Sequence, residues 1–224
     1  MCGRIYVKQQ LLERIAELSP TLFERLERKA VEKVRASGNV CPTQSLFAFT
    51  SGPGLEVMRW GWSRRFNDAI INARSDSLDK PMWASALRER RCFVPVSGYF
   101  EWTTPPLRKG KIPYAFSLAH QRDMYLGCLW ERHKELGPCF SVITVEATAG
   151  HALIHERMPL ILTPEQAEKW IDPDLEEPRA REMCKPYTGD MLQWECAKPS
   201  SEVFPHPNET GFHEKVDPKS WFKE

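Results

Sequence analysis

The sequence predicts a single α+β domain built on a mainly antiparallel, β-barrel-like core with flanking helices. Three observations point there. Four short runs rich in β-branched and aromatic residues, Cys92 to Trp102, Pro113 to Leu118, Met124 to Trp130 and Cys139 to Val145, alternate with Pro, Gly and charged stretches at the spacing of antiparallel strands. Apolar residues at helical spacing flank that region on both sides. The chain has 224 residues, 42% hydrophobic and 27% charged, which suffices for one sizeable core and calls for no second domain.

In chain order, a short apolar run, Ile5-Tyr6-Val7, precedes Leu11, Leu12, Ile15 and Leu18 at helical spacing. Ser19 suits a helix N-cap and Pro20 the first helical position; Leu22, Phe23, Leu26, Ala30, Val31 and Val34 then form one apolar stripe that Gly38 ends. Ser45 to Thr50 and Leu55 to Trp62, joined by Ser51-Gly52-Pro53-Gly54, read as a hairpin. A further run leads into Ile70-Ile71-Asn72-Ala73-Arg74, and a short helix is expected from Pro81 to Arg90. After the four central strands, Thr163-Pro164-Glu165-Gln166 forms a capping-box signal that opens a helix through Trp170. Beyond about Asp172 prolines recur and periodicity is lost, so the domain is expected over residues 2–198 and a partly ordered tail over 199–224.

With 31 basic and 30 acidic residues the net charge is +1, so any grip on nucleic acid rests on local clusters such as Arg64-Arg65 and Arg88 to Arg91 rather than on the total. The 7 cysteines are odd in number and contain no Cys-x-x-Cys pair, which argues against a disulfide framework and a zinc ribbon and for reduced thiols. No stretch approaches the roughly 18 to 20 apolar residues of a membrane helix, and no basic-then-apolar leader opens the chain. A soluble intracellular protein with no membrane partner is expected.

Met1-Cys2 is the chemically distinctive element. Loss of Met1 would leave an α-amine and a thiol on one two-carbon unit. The amine of such a 1,2-aminothiol condenses with an aldehyde to an imine, and the sulfur then closes a five-membered thiazolidine. Amines and thiols of this kind ionise near 8 to 8.5 in model compounds, so both need a neighbouring base at neutral pH. His151 and His155, four apart, have metal-ligand spacing, but no third ligand lies nearby in the sequence.

Seven segments in this order resemble the SRAP family, the SOS-response-associated peptidase-like proteins that cross-link to abasic sites in single-stranded DNA. They are Cys2-Gly3-Arg4, Ile71-Asn72-Ala73-Arg74, Arg91-Cys92 through Pro95, Gly98-Tyr99-Phe100-Glu101-Trp102, Leu129-Trp130, Ile143-Thr144 and Ile154-His155-Glu156-Arg157-Met158-Pro159. The resemblance spans roughly residues 2–172 and implies the SRAP fold. It implies four catalytic residues: Cys2 captures the aldehyde of a ring-opened abasic sugar, Glu101 takes the amine proton, Asn72 orients the sugar or sulfur as a neutral donor and acceptor, and His155 supplies acid for ring opening and dehydration. It implies a DNA surface in which Arg4, Arg74 and Arg157 grip phosphates, Thr144 adds a hydroxyl contact, and Trp62 and Trp102 stack on bases. Trp60-Gly61-Trp62 reads equally well as core packing.

The expected partner is single-stranded DNA containing abasic sites, bound by a monomer without metal or cofactor, in the cytoplasm of a bacterial or phage-type setting. Autocatalytic loss of Met1 and a β-lyase side activity belong to the same expectation. Two other readings stay open: a cysteine hydrolase using Cys2, His155 and Asn72, and a non-covalent nucleic-acid-binding module. Two departures from the family pattern stand out. Ser75-Asp76-Ser77 replaces the usual glutamate and threonine after the asparagine motif, and the C-terminal third lacks the usual closing-strand signal.

Overall fold

The computed structural model describes residues 2–8 and 38–196, apart from 53, 108 and 120–122, together with isolated positions between 11 and 34. The amphipathic helix expected before Gly38 and the tail over 199–224 lie outside the described residues. The first strands are β1 (Arg4–Val7), β2 (Gly38–Val40), β3 (Ser45–Thr50), β4 (Leu55–Trp60), β5 (Trp62–Arg64), β6 (Asn67–Ile70) and β7 (Asn72–Arg74), followed by a 3-10 turn over Ser75–Ser77 and helix α1 (Pro81–Glu89). Then come β8 (Arg91–Val96), β9 (Gly98–Thr103), β10 (Ile112–Leu118), β11 (Met124–His133), β12 (Gly137–Glu146) and helix α2 (Ala149–Ala152). The chain continues through β13 (Arg157–Pro159), β14 (Ile161–Leu162), helix α3 (Pro164–Trp170), helix α4 (Glu177–Met183) and β15 (Met191–Glu195).

Five strands close on themselves in the order β12-β4-β3-β8-β11, with β11 returning to pair with β12. A second sheet, β15-β10-β9-β1-β2, packs beside this barrel. The interior is filled by Trp60, Met58, Leu46, Val94, Leu126, Phe140 and Val142, all nearly free of solvent. The predicted β-barrel-like core with flanking helices is therefore the architecture observed, and the Ser45–Thr50 hairpin pairs as expected, with Phe49 opposite Leu55.

Two expectations change. The run from Cys92 to Trp102 is two strands in different sheets, because at Ser97 the chain leaves the barrel: its N–H donates to the Tyr6 carbonyl at 2.9 Å and its hydroxyl accepts from Lys8 N–H at 3.0 Å. The region after Asp172 is ordered where loss of pattern was expected. It forms α4 and then β15, which pairs with β10 from Tyr114↔Glu195 to Leu118↔Met191 and supplies the closing strand that the sequence pattern seemed to lack. A short edge strand draws its register from its partner, so its own pattern is weak.

The capping box forms as read, with Thr163 Oγ1 accepting from Gln166 N–H at 3.2 Å and Gln166 Oε1 accepting from Thr163 N–H at 2.9 Å. The helix ends opposite it are tied down by one cation. Arg91, 4% exposed, donates to the carbonyls of Leu87, Arg88, Trp170 and Asp172 at 2.6 to 2.8 Å, capping both α1 and α3. Arg91→Ala leaves four carbonyl acceptors without their donor, the Leu87 and Trp170 carbonyls in buried surroundings, so we expect a loss of about 3 kcal/mol or more in urea unfolding. An unfolding midpoint equal to wild type would show that water replaces the guanidinium without cost.

Candidate active site

The sheet places the N-terminus of the chain between two strands. β1 runs antiparallel to β9, with Arg4 opposite Phe100 and Ile5 opposite Tyr99, and on its other side pairs with β2. Cys2, two residues before β1, is fully buried. Continuing the register sets Gly3 across from Glu101, so the carboxylate arrives beside the start of the chain. Strand alternation turns Tyr99 and Glu101 to one face of β9 and Phe100 and Trp102 to the other. Glu101 is only 2% exposed.

Asn72 reaches the same point from the barrel. β7 lies parallel to β12 with Asn72 opposite Val142, and the Ile71 carbonyl before it accepts from both Val142 N–H at 3.0 Å and Trp60 Nε1–H at 3.1 Å. Held this way, Asn72 Nδ2 donates to the Cys2 carbonyl at 3.1 Å, while its Oδ1 has no partner among the described residues. The glycine between the two tryptophans permits this path: Gly61 adopts φ +109° and a side chain there would meet Ala69 Cβ at 3.1 Å. His155 arrives from the corner between α2 and β13, where its Nδ1 accepts from Arg157 N–H at 3.0 Å.

Electrostatics link these groups. Burial raises the Glu101 carboxyl above its ordinary range, against the opposing pull of the N-terminal charge and of His155. Burial also pushes the Cys2 thiol far up, reinforced by the Glu101 carboxylate. The thiol is thus held in its neutral form, and a cationic amine is the natural partner of the carboxylate. No cluster of three or more metal-ligating side chains occurs among the described residues.

The family model for SOS response associated peptidase (SRAP) matches residues 1–203. The chain belongs to the SRAP family. It is 29% identical over 208 residues to the abasic site processing protein YoqW of Bacillus subtilis (strain 168), covering 86% of this chain and 90% of that one. It is 26% identical to the abasic site processing protein YedK of Escherichia coli (strain K12), covering 82% and 85%. A crystal structure of a protein from Bacteroides thetaiotaomicron superposes with a TM-score of 0.63 at 26% identity, over 77% of this chain and 82% of that one.

In this SRAP domain the expected DNA-contacting residues divide by burial. Arg4 is half-buried and lies over the Trp102 ring at 6.0 Å, on the face of β9 opposite Glu101. Arg74 is exposed and bound to Asp76 at 2.6 Å, a contact that holds the Asp76 carboxyl down to about 2. Three of the expected DNA contacts are buried in this conformation. Arg157 is 4% exposed and its guanidinium is spent on the Thr144 carbonyl, Ser75 Oγ and Asp76, where it pins β12 to the 3-10 turn. Thr144 is fully buried on β12, out of reach of a phosphate. Trp62, 1% exposed, packs on Trp83 at 4.6 Å and belongs to the core, as its alternative reading held. Asp76 thus supports the two arginines.

Three residues escaped the sequence reading. Phe66 is 74% exposed at the tip of the β5–β6 hairpin, directly after Arg64-Arg65 and six residues before Asn72. An aromatic ring beside two arginines in a turn was a usable signal. Tyr99 shares the Glu101 face, legible from their spacing of two. His151 drew attention only as a metal ligand, whereas it is a buried ring stacked on the site wall.

Proposed function

We propose that the chain processes abasic sites in single-stranded DNA by covalent capture through Cys2. Hydrolysis of the Met1–Cys2 bond frees the α-amine, which adds to the C1′ aldehyde of a ring-opened abasic deoxyribose and loses water to give an imine. The Cys2 sulfur then bonds to C1′ and its proton passes to nitrogen, closing a thiazolidine; one water is the only by-product. The observation that carries this reading is the meeting of Glu101, Asn72 and His155 at the N-terminus of the chain, with Asn72 bonded to the Cys2 backbone itself. The names of the SRAP relatives as abasic site processing proteins support the substrate class. A cysteine hydrolase fits less well, because burial holds the thiol in its neutral form.

Glu101 accepts the proton of the α-ammonium, Asn72 holds the Cys2 carbonyl, and His155 delivers the proton that the departing C1′ oxygen needs. The imine also acidifies the neighbouring C2′ proton, which makes β-lyase chemistry a competing exit. The protein acts as a monomer in the cytoplasm, with no metal or cofactor. Intact-mass measurement should show the loss of Met1, and an abasic single-stranded oligonucleotide should yield an adduct that survives denaturation. Retention of Met1 together with a stable adduct would remove the amine from the mechanism.

The DNA path runs over Arg4, Trp102, Arg74 and Phe66. Affinity for single strands should fall by roughly 0.7 log units per phosphate contact per decade of salt, with Arg4→Ala and Arg74→Ala each lowering that slope. Phe66→Ala should weaken binding by about 1 to 3 kcal/mol without changing the slope. Arg157→Ala should instead lower the melting temperature. A reduced salt slope in Arg157→Ala, with unchanged melting, would restore it to the phosphate path.

A further inference from the structure

Two buried polar atoms on the wall of the site have no task in the capture chemistry. His151, on α2, is 3% exposed, its ring 4.6 Å from that of Phe116 and 6.0 Å from that of Tyr99. Its Nδ1 lies 3.1 Å from the His155 carbonyl oxygen. A carbonyl only accepts, so Nδ1 carries the proton and Nε2 of the neutral ring is a bare acceptor. That Nε2 is closed to solvent and has no hydrogen-bond partner among the described residues. Burial keeps the ring neutral, holding its pKa down to about 4. Tyr99 repeats the situation: its ring is fully buried, its hydroxyl has no partner among the described residues, and it lies near Cys2 and the Glu101 carboxylate.

Leaving such an atom unpaired costs about 1 to 3 kcal/mol, a cost that a bound ligand relieves. The two imidazoles are complementary. His155 accepts at Nδ1 and so carries its neutral-state proton on Nε2, while His151 offers an acceptor there. Opening an abasic deoxyribose exposes two groups together, the C1′ aldehyde and the C4′ hydroxyl that was the ring oxygen. With both phosphodiesters intact, that hydroxyl is the only hydrogen-bond donor of the open sugar.

We propose that His151 Nε2 accepts a hydrogen bond from the C4′ hydroxyl of the ring-opened sugar while the Tyr99 hydroxyl donates to the C1′ oxygen, which makes His151 a specificity-determining residue for the open form. The assignment rests on the capture reading above. It places the acceptor beside the backbone that carries His155, so the residue that holds the open sugar also fixes the residue that protonates it.

The test is single-turnover cross-linking by the Met1-processed full chain, wild type and His151→Phe, on two single-stranded oligonucleotides. One carries a natural abasic deoxyribose; the other carries an acyclic aldehyde of the same carbon spacing without the hydroxyl. Wild type should react with both. His151→Phe keeps the ring stack and should slow reaction with the natural site about tenfold or more beyond any slowing of the hydroxyl-free aldehyde, so that the ratio of the two rates falls by that factor. The ratio of the two rates does not depend on how much of the variant is folded, so partial unfolding leaves it readable. An unchanged ratio, whether both rates fall or neither does, overturns the assignment of His151 and leaves capture by Cys2 standing. Absence of adduct with either aldehyde in wild type overturns the capture chemistry and this assignment with it.

Discussion

Cys2→Ala should abolish the denaturation-stable adduct, a fall of about a hundredfold or more in its yield, while leaving an intermediate that borohydride reduction traps. Alanine at position 2 still presents an α-amine once Met1 is removed, so the first half of the reaction, condensation to an imine at C1′, survives. The sulfur that would close the five-membered ring is missing, and an imine hydrolyses where a thiazolidine persists. The measurement is denaturing electrophoresis of wild type and Cys2→Ala with an abasic oligonucleotide, each with and without borohydride. Equal adduct from both proteins without reductant would show that the sulfur forms no bond to the sugar.

Glu101→Gln should produce two opposite effects: cross-linking slowed by about 10² to 10⁴, the range of a lost general base, and a fold more stable at neutral pH. Glu101 is 2% exposed and burial raises its carboxyl pKa. The sign follows from proton binding. A carboxyl whose folded value lies above its unfolded value contributes stability that is fully present below the unfolded value, about 4.3 for glutamate, and loses it as pH rises through the folded value. Glutamine has no such loss. The stability difference in favour of Glu101→Gln should therefore grow from acid towards neutrality and then level off. Urea unfolding at several pH values, paired with single-turnover cross-linking, reads both effects. A variant less stable than wild type at neutral pH would mean that the N-terminal charge outweighs the burial of the carboxylate.

Much of the site was written in local chemistry. Cys2 was marked as a candidate by the covalent chemistry of an amine and a thiol on one two-carbon unit, and Glu101 by the short segment Gly98 to Trp102 that resembles the family, although Phe100 and Trp102 face away from its side. The capping box at Thr163 was legible for the same reason: all its partners lie within four residues. The proposed DNA surface was less so. Arg74 and Arg157 look alike in sequence, yet one is exposed and the other is consumed by Thr144, Ser75 and Asp76, residues 13 to 82 positions away. Trp62 and Phe66 exchange the roles a reader would give them, because Trp83 from α1 closes over the first and the hairpin lifts the second into solvent.

By itself, then, the sequence determined the strand-rich core, the helix signals at residues 81 and 163, and the family's residues in order. These rest on side-chain periodicity, caps and covalent reactivity, all set within a few residues. The tertiary structure alone decided that β15 closes the second sheet on β10, that Arg91 caps two helices, and that Asn72 meets Cys2 across 70 residues of chain. Each of these joins elements far apart in the sequence. A hydrogen bond between them leaves no periodic trace in either segment, and burial depends on what the rest of the chain lays over a residue.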